Sequence, residues 1–492
     1  MFDMIGYQRE LFSLFDEFFQ RSTGKTAKNF AALDKFNETV PTLKDRAPEV
    51  MKAAEWGMPR LWELYSRYGS QPFGAAQKQG GMKAVLGGGS RFGESQLNAT
   101  RRLILYSDTV LIPDPVFAWI ETDRPEERFR HIQLLQAMFF LLRLKPLVDS
   151  ECAVPPVLVF PSYERILAKK DPITQGFINN FISGILSNIL RTPLASINDV
   201  TDFATSNGEE FLDAVQRANL FIAPGGPVGE PLEATIERYR REVTSWRSTE
   251  HIEQLAGLSK SQFVCNAILE RLEPQYHLAE NANELRAQPL LSVEQQEYYF
   301  KLCVSANEDM LETQDAISPV TRATVNALSQ RQFEWLSPRD VDALVAMRLN
   351  NENEHFREHL SKAASILNEA DLSDLDRVAS EVSKGIGTLL NQHTSEARRI
   401  EEKYKSQYRR LAASGWLSVG TLLVPHLAPL IAAIPGLTFG GQYVKAKMEE
   451  LRERRELSRS LIGILASARN QPYKKVNGVA KLFEWLPQCH NL

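Results

Sequence analysis

Apolar residues in positions 1–70 return every three or four places, the spacing of one helix face. In the opening MFDMIGYQRELFSLFDEFFQ, Phe2, Ile5, Leu11, Phe12, Phe15, Phe18 and Phe19 share such a stripe. Asp3, Arg9, Glu10, Asp16 and Glu17 interrupt it, so it reads as an amphipathic core helix and not as a secretion signal. Helix breaks are expected near Pro41, Pro48 and Gly57. Residues 71–95 are rich in glycine and poor in periodicity, and read as a flexible loop or linker. Together these predict a helical N-terminal region, 1–95.

The pattern then changes. Leu103–Ile112 is a β-type run stopped by Pro113-Asp114-Pro115, and Val157–Phe160 and Leu220–Ala223 are two more short strand candidates ended by proline. Helical patterns separate them, which predicts a small α/β unit within 96–240. From 241 to 370 the pattern is helical again, with Ser337 as N-cap and Pro338 at the first position of one helix. Val341, Val345, Leu349, Phe356, Leu360, Ala363 and Leu367 form the expected buried stripe of this region.

In 371–492, Ile386, Leu390, His393, Ala397, Ile400, Tyr404 and Leu411 lie on a mostly 4-3 seam, continued after a gap by Val444, Met448, Leu451, Leu457 and Leu461. Two long helices joined by a turn would make an antiparallel coiled-coil hairpin. The fold class expected is therefore mainly α and multidomain, with a small α/β unit in the middle and a C-terminal hairpin bearing an apolar tip.

That tip is the main physical anomaly. Between Leu411 and Val444 there is no Asp, Glu, Lys or Arg, and three prolines (Pro425, Pro429, Pro435) break any straight helix. One membrane span needs about 20 apolar residues. Both flanks carry basic residues, Arg398 to Arg410 upstream and Lys445 to Arg459 downstream. Equal flanks disfavour a single crossing and suit a re-entrant hairpin with both arms on one side. The plainer reading is burial of the tip against the chain's own domains or a copy of itself. Trp416, Leu417, Leu422, Leu423, Leu427, Leu430, Ile431 and Ile434 are the residues expected to meet a membrane or partner.

Composition changes this picture little. The chain has 492 residues, 43% hydrophobic and 24% charged, with net charge −4. These values exclude a disordered or collagen-like chain, and a surface devoted to nucleic acid. The basic helices interleave Glu396, Glu401, Glu402, Glu449, Glu450, Glu453 and Glu456, so nucleic acid is not an expected partner. Cys152, Cys265, Cys303 and Cys489 form no C-x-x-C pair, which fits a reducing cytoplasm, with a peripheral place at the inner face of a membrane for the tip reading.

Candidate chemistry is sparse. His355-Phe356-Arg357-Glu358-His359 spells H-x-x-E-H, with two histidines one helical turn apart and a glutamate base, but no third ligand stands out. Asp108 and Asp114, with Glu121-Thr122-Asp123 downstream, approach a nuclease carboxylate pattern in which Asp123 replaces the lysine. Asp114 between two prolines is also ordinary turn chemistry. Gly24-Lys25-Thr26 lacks the upstream glycine of a phosphate loop, and Phe92 breaks a G-x-G-x-x-G at Gly87 and Gly89. No catalytic residue, metal or cofactor is assigned.

The leading expectation is a non-enzymatic interaction or effector protein, with a sensing or docking body and a C-terminal arm that presents residues 411–444 to a membrane or to a protein partner. A place in a multi-protein system such as phage defence rests on general build and on no motif. The alternatives are a metal-dependent hydrolase using His355, Glu358 and His359, a nuclease-like enzyme around Asp108 and Asp114, and a structural subunit of an oligomer.

Overall fold

The computed structural model describes residues 2–303 except 40–41, 44–45, 88–93, 118–127, 163–171, 245–248, 292–295, 297 and 301, then 341–369 and scattered positions from 377 to 403. The protein is mainly helical, with one small parallel sheet in the middle. The sheet has the order β3-β2-β1-β4, from Lys83–Leu86 (β1), Thr109–Pro113 (β2), Val157–Phe160 (β3) and Gln288–Leu290 (β4). Ala84 aligns with Val110 on one side and Gln288 on the other, and Val110 aligns with Val157.

Every strand residue is buried, as a parallel sheet covered on both faces requires. The alternation is between two cores. Ala84, Leu86, Val110, Ile112, Val157 and Val159 face the larger core, while Val85, Leu111, Leu158 and Phe160 face a smaller one. The helices Met4–Thr23, Ala47–Tyr68 and Arg128–Leu142 build the larger core, where Phe19, Phe30, Phe36 and Phe139 cluster with ring centroids 5.3 to 6.1 Å apart. The last part of the helix Lys260–Glu284, through Leu278 and Ala282, covers the smaller face. Its first part, from Phe263 to Tyr276, belongs to a third core of helices between residues 178 and 303.

The N-terminal helix forms as its stripe predicts. Asp3 caps it, accepting from the Gly6 N–H, and Tyr7, Leu11, Phe12, Phe15, Phe18 and Phe19 are buried, although Ile5 is exposed. Pro48 begins a helix as expected, whereas Gly57 does not end one. Gly57 sits inside Ala47–Tyr68 because Phe18 packs directly on it, and a Cβ there would come within 2.5 Å of the ring.

Four strand and loop expectations need correction. Residues 71–95 are no linker over their described part: Gln71–Lys78 is a helix and Lys83–Leu86 is an inner strand of the sheet. A strand buried on both faces shows no polar alternation, and the surrounding glycines hid it. The run Leu103–Ile112 is strand only from Thr109, since Leu103 ends the helix Glu94–Leu103 and 104–108 is a buried turn. Leu220–Ala223 is buried but is no strand of the sheet; the Tyr299 hydroxyl accepts from the Ile222 N–H and donates to the Leu220 carbonyl, each at 3.0 Å. The fourth strand is Gln288–Leu290, overlooked because it is short and contains Pro289; at the sheet's edge a missing N–H is tolerated. Sheet strands thus lie before residue 96 and after residue 240 as well as between them.

At the opposite edge, the buried Gln8 amide donates to the Val159 carbonyl at 2.6 Å and accepts from the Val159 N–H at 2.9 Å. One side chain of the N-terminal helix thereby pairs the outer main chain of β3. Leu349, expected in the buried stripe, is 53% exposed, and Leu344 and Met347 take that face instead. Residues 304–340, including the expected cap at Ser337, and the second arm of the expected hairpin lie outside the described residues. On the first arm, Leu389 and Ile400 are buried in the larger core. Among the described residues, no helix is long and apolar enough to cross a membrane.

Gln8→Leu leaves both Val159 groups buried without partners, and we expect it to lower unfolding free energy by about 2–6 kcal/mol at about 1–3 per group. Urea denaturation of the variant beside wild type checks this, and a change under about 0.5 kcal/mol would contradict the pairing role.

Candidate functional site

A polar cluster lies at the amino edge of the sheet, where β2 begins. The turn 104–108 turns its carbonyls inward, and buried carbonyls need donors. Arg348 donates to Ile104 at 3.2 Å, Ser107 at 3.0 Å and Asp108 at 2.9 Å. Asn353 Nδ2 donates to Leu105 at 2.9 Å. Arg348 stands in the last turn of the helix Val341–Leu349, and Asn353 ends the connection from it to the helix Glu354–Glu369. That turn closes because Asn351 and Asn353 adopt left-handed backbone, φ 54° and 61°, which asparagine tolerates better than most residues.

Charge is organised around this turn. Asp108 accepts from the Met82 N–H at 2.7 Å and lies 3.8 Å from Arg357 Nε. Arg357 also donates to the Glu352 carbonyl at 2.6 Å. Burial, followed by repulsion from Arg348, pulls the Arg357 guanidinium down to about 10, so it stays charged near neutrality. Glu352 is only 4% exposed, a costly site for a carboxylate unless cations reach it. Arg399 reaches it at 3.3 Å, and Lys403 also hydrogen-bonds to it. Residues 399 and 403 are therefore tied to the turn after Val341–Leu349 by two cations on one buried acid.

The two candidate nuclease acids sit at opposite ends of β2 and do not form one site. The five strand residues between them, at about 3.3 Å each, put roughly 20 Å between their backbones. Asp114 is fully engaged at the carboxyl end: Oδ2 accepts from the Tyr65 hydroxyl at 2.5 Å, and Oδ1 accepts from the N–H groups of Val116 at 2.8 Å and Phe117 at 3.4 Å. Burial pushes its carboxyl up to about 6 despite these bonds. Glu121, Thr122 and Asp123 lie outside the described residues.

His355, Glu358 and His359 are all exposed on the helix Glu354–Glu369. Among the described residues, no group of three or more His, Cys, Asp or Glu side chains is placed to hold a metal ion. The expected contact residues Trp416, Leu417, Leu422, Leu423, Leu427, Leu430, Ile431 and Ile434 lie outside the described residues.

Sequence reasoning missed Arg348, Glu352 and Asn353. The signal was present in Arg348-Leu349-Asn350-Asn351-Glu352-Asn353, an asparagine-rich stretch between two helical patterns that marks a tight turn. No family model matches the chain, and neither a curated protein nor a solved structure matches it.

Asp114 makes stability depend on pH. Its folded value, about 6, lies above the usual 3.8, so its favourable contribution is complete below about pH 4 and is lost as pH rises through 6. Asp114→Asn cannot ionise, so the variant should gain on wild type by roughly 2–3 kcal/mol between about pH 4 and 7, because each tenfold change in proton affinity is worth about 1.4 kcal/mol. Parallel unfolding curves across that range would show whether the gap opens; a constant gap would refute the assignment.

Proposed function

We propose that this is a non-enzymatic interaction protein, with a docking body and a C-terminal arm whose uncharged segment, 411–444, meets a membrane surface or a protein partner. The single observation that carries this reading is the tie of Arg399 and Lys403 to buried Glu352. It holds the arm to the body eight residues before Leu411, where the charge-free stretch begins. Leu389 and Ile400 add apolar contacts to the same end of the arm. A stretch of that composition is costly to leave in water, so a covering surface is required.

A second reading, of the body as a small-ligand sensor, is favoured by the strand order. β1 has β2 on one side and β4 on the other, and in open parallel sheets ligands bind outside the carboxyl ends at such a reversal. Gly87, at the end of β1, donates its N–H to the Leu290 carbonyl at 3.3 Å, and a Cβ there would collide with the Gln296 amide. A thermal-shift panel of nucleotides and sugar phosphates on the full chain tests this reading, with a shift in wild type weakened at least tenfold in apparent affinity by Gly87→Val as the supporting result.

For the leading reading, the test is flotation with liposomes containing anionic lipid, wild type beside Leu422→Glu/Ile431→Glu. We expect wild type to float and the folded double variant to stay at the bottom. A stable oligomer without lipid affinity would point to a structural subunit with a self-covered tip. Glu352→Gln should speed amide exchange across 389–403 by about tenfold, the equivalent of about 1.4 kcal/mol. Unchanged exchange there would remove the proposed tie.

A further inference from the structure

We propose that His355 and His359 form a two-histidine binding site for a late first-row divalent ion, with copper(II) held tighter than zinc(II). The two residues stand one turn apart on the helix Glu354–Glu369, both exposed, with ring centroids 4.0 Å apart. His359 Nδ1 lies 2.9 Å from the His355 carbonyl oxygen. A carbonyl oxygen only accepts, so Nδ1 is the donor in this contact and Nε2 is the nitrogen left for a metal ion. Metal-binding histidines are held in this way: the second ring nitrogen donates to a backbone carbonyl, which fixes the tautomer and the ring's orientation.

Imidazole nitrogens bind zinc at about 2.0–2.1 Å, and two histidines four residues apart on one helix face can share one ion. Imidazole suits copper, nickel and zinc but not magnesium, and copper(II) stands above zinc(II) in intrinsic affinity. No third protein donor joins the pair among the described residues, so water completes the coordination shell. Glu358, exposed beside His359, adds negative charge nearby. The result is an open, exchangeable site, and no hydrolytic step is assigned to it. Its place has a structural effect. Asn353 and Arg357 lie at the start of the same helix, so an ion bridging 355 and 359 cross-links the turns that hold the 104–108 loop. This inference stands on the helix alone and is independent of the interaction reading.

Calorimetric titration of the full chain with copper(II), zinc(II) and magnesium chlorides at pH 7.5 tests it. Wild type should bind one equivalent of copper or zinc that is lost, or weakened at least tenfold, in both His355→Ala and His359→Ala. Zinc should bind more weakly than copper, and magnesium should give no binding heat. Both rings are exposed, so both variants should keep the wild-type far-UV circular dichroism; His355→Gln and His359→Gln repeat the test with a longer polar side chain. An equivalent that survives the substitutions, or the absence of any copper or zinc equivalent in wild type, overturns the proposal.

Discussion

Buried main-chain polar groups must find partners, and that requirement shapes this molecule more than any other. Four short strands and a set of irregular buried segments leave N–H and C=O groups that regular structure does not satisfy. Side chains from distant parts of the chain supply the partners. Gln8 closes the outer edge of β3, Tyr299 serves the 220–222 segment as a neighbouring strand would, and Arg348 and Asn353 fill the turn before β2. Each bond is worth only about 1 kcal/mol net, but an unmade one costs more. These four residues therefore act as fasteners between segments up to 248 residues apart.

The amino edge of the sheet inherits its character from the same requirement. Once Arg348 is drawn in to serve three carbonyls, its charge must be balanced locally, and Asp108 lies close by. Glu352, in the turn that follows Arg348's helix, is buried with its carboxylate held by Arg399 and Lys403. A structural need for donors thus places a negatively charged anchor under Arg399 and Lys403. The carboxyl edge differs: Asp114 there is held by one hydroxyl and two backbone N–H groups, with no cation bonded to it among the described residues.

How much of this was readable from the residues depends on range. The N-terminal helix is plain in the sequence because its stripe is local. Val157–Phe160 was plain because a short β-branched run ends at proline. Lys83–Leu86 was not, since burial on both faces removes the alternation that marks a strand, and Gln288–Leu290 carries a proline that argues against one. Leu220–Ala223 has the composition of a strand, but the partner that bonds it is a tyrosine hydroxyl 77 residues on from Ile222. Of the candidate sites, the histidine pair was legible as spacing, while the carboxylates of Asp108 and Asp114 were close in sequence yet separated by the full length of a strand.

The helix Lys260–Glu284 has a mechanical consequence. Its 25 residues, about 37 Å at 1.5 Å each, begin in the all-helical core and end on the sheet. A stiff rod seated in two cores behaves as a lever. A tilt imposed near Phe263 or Ile268 is delivered, over the length of the rod, to Leu278 and Ala282 under Val85 and Leu111. Pro274, which interrupts the hydrogen-bond ladder partway along, is the natural fulcrum at which such a motion would be absorbed or passed on.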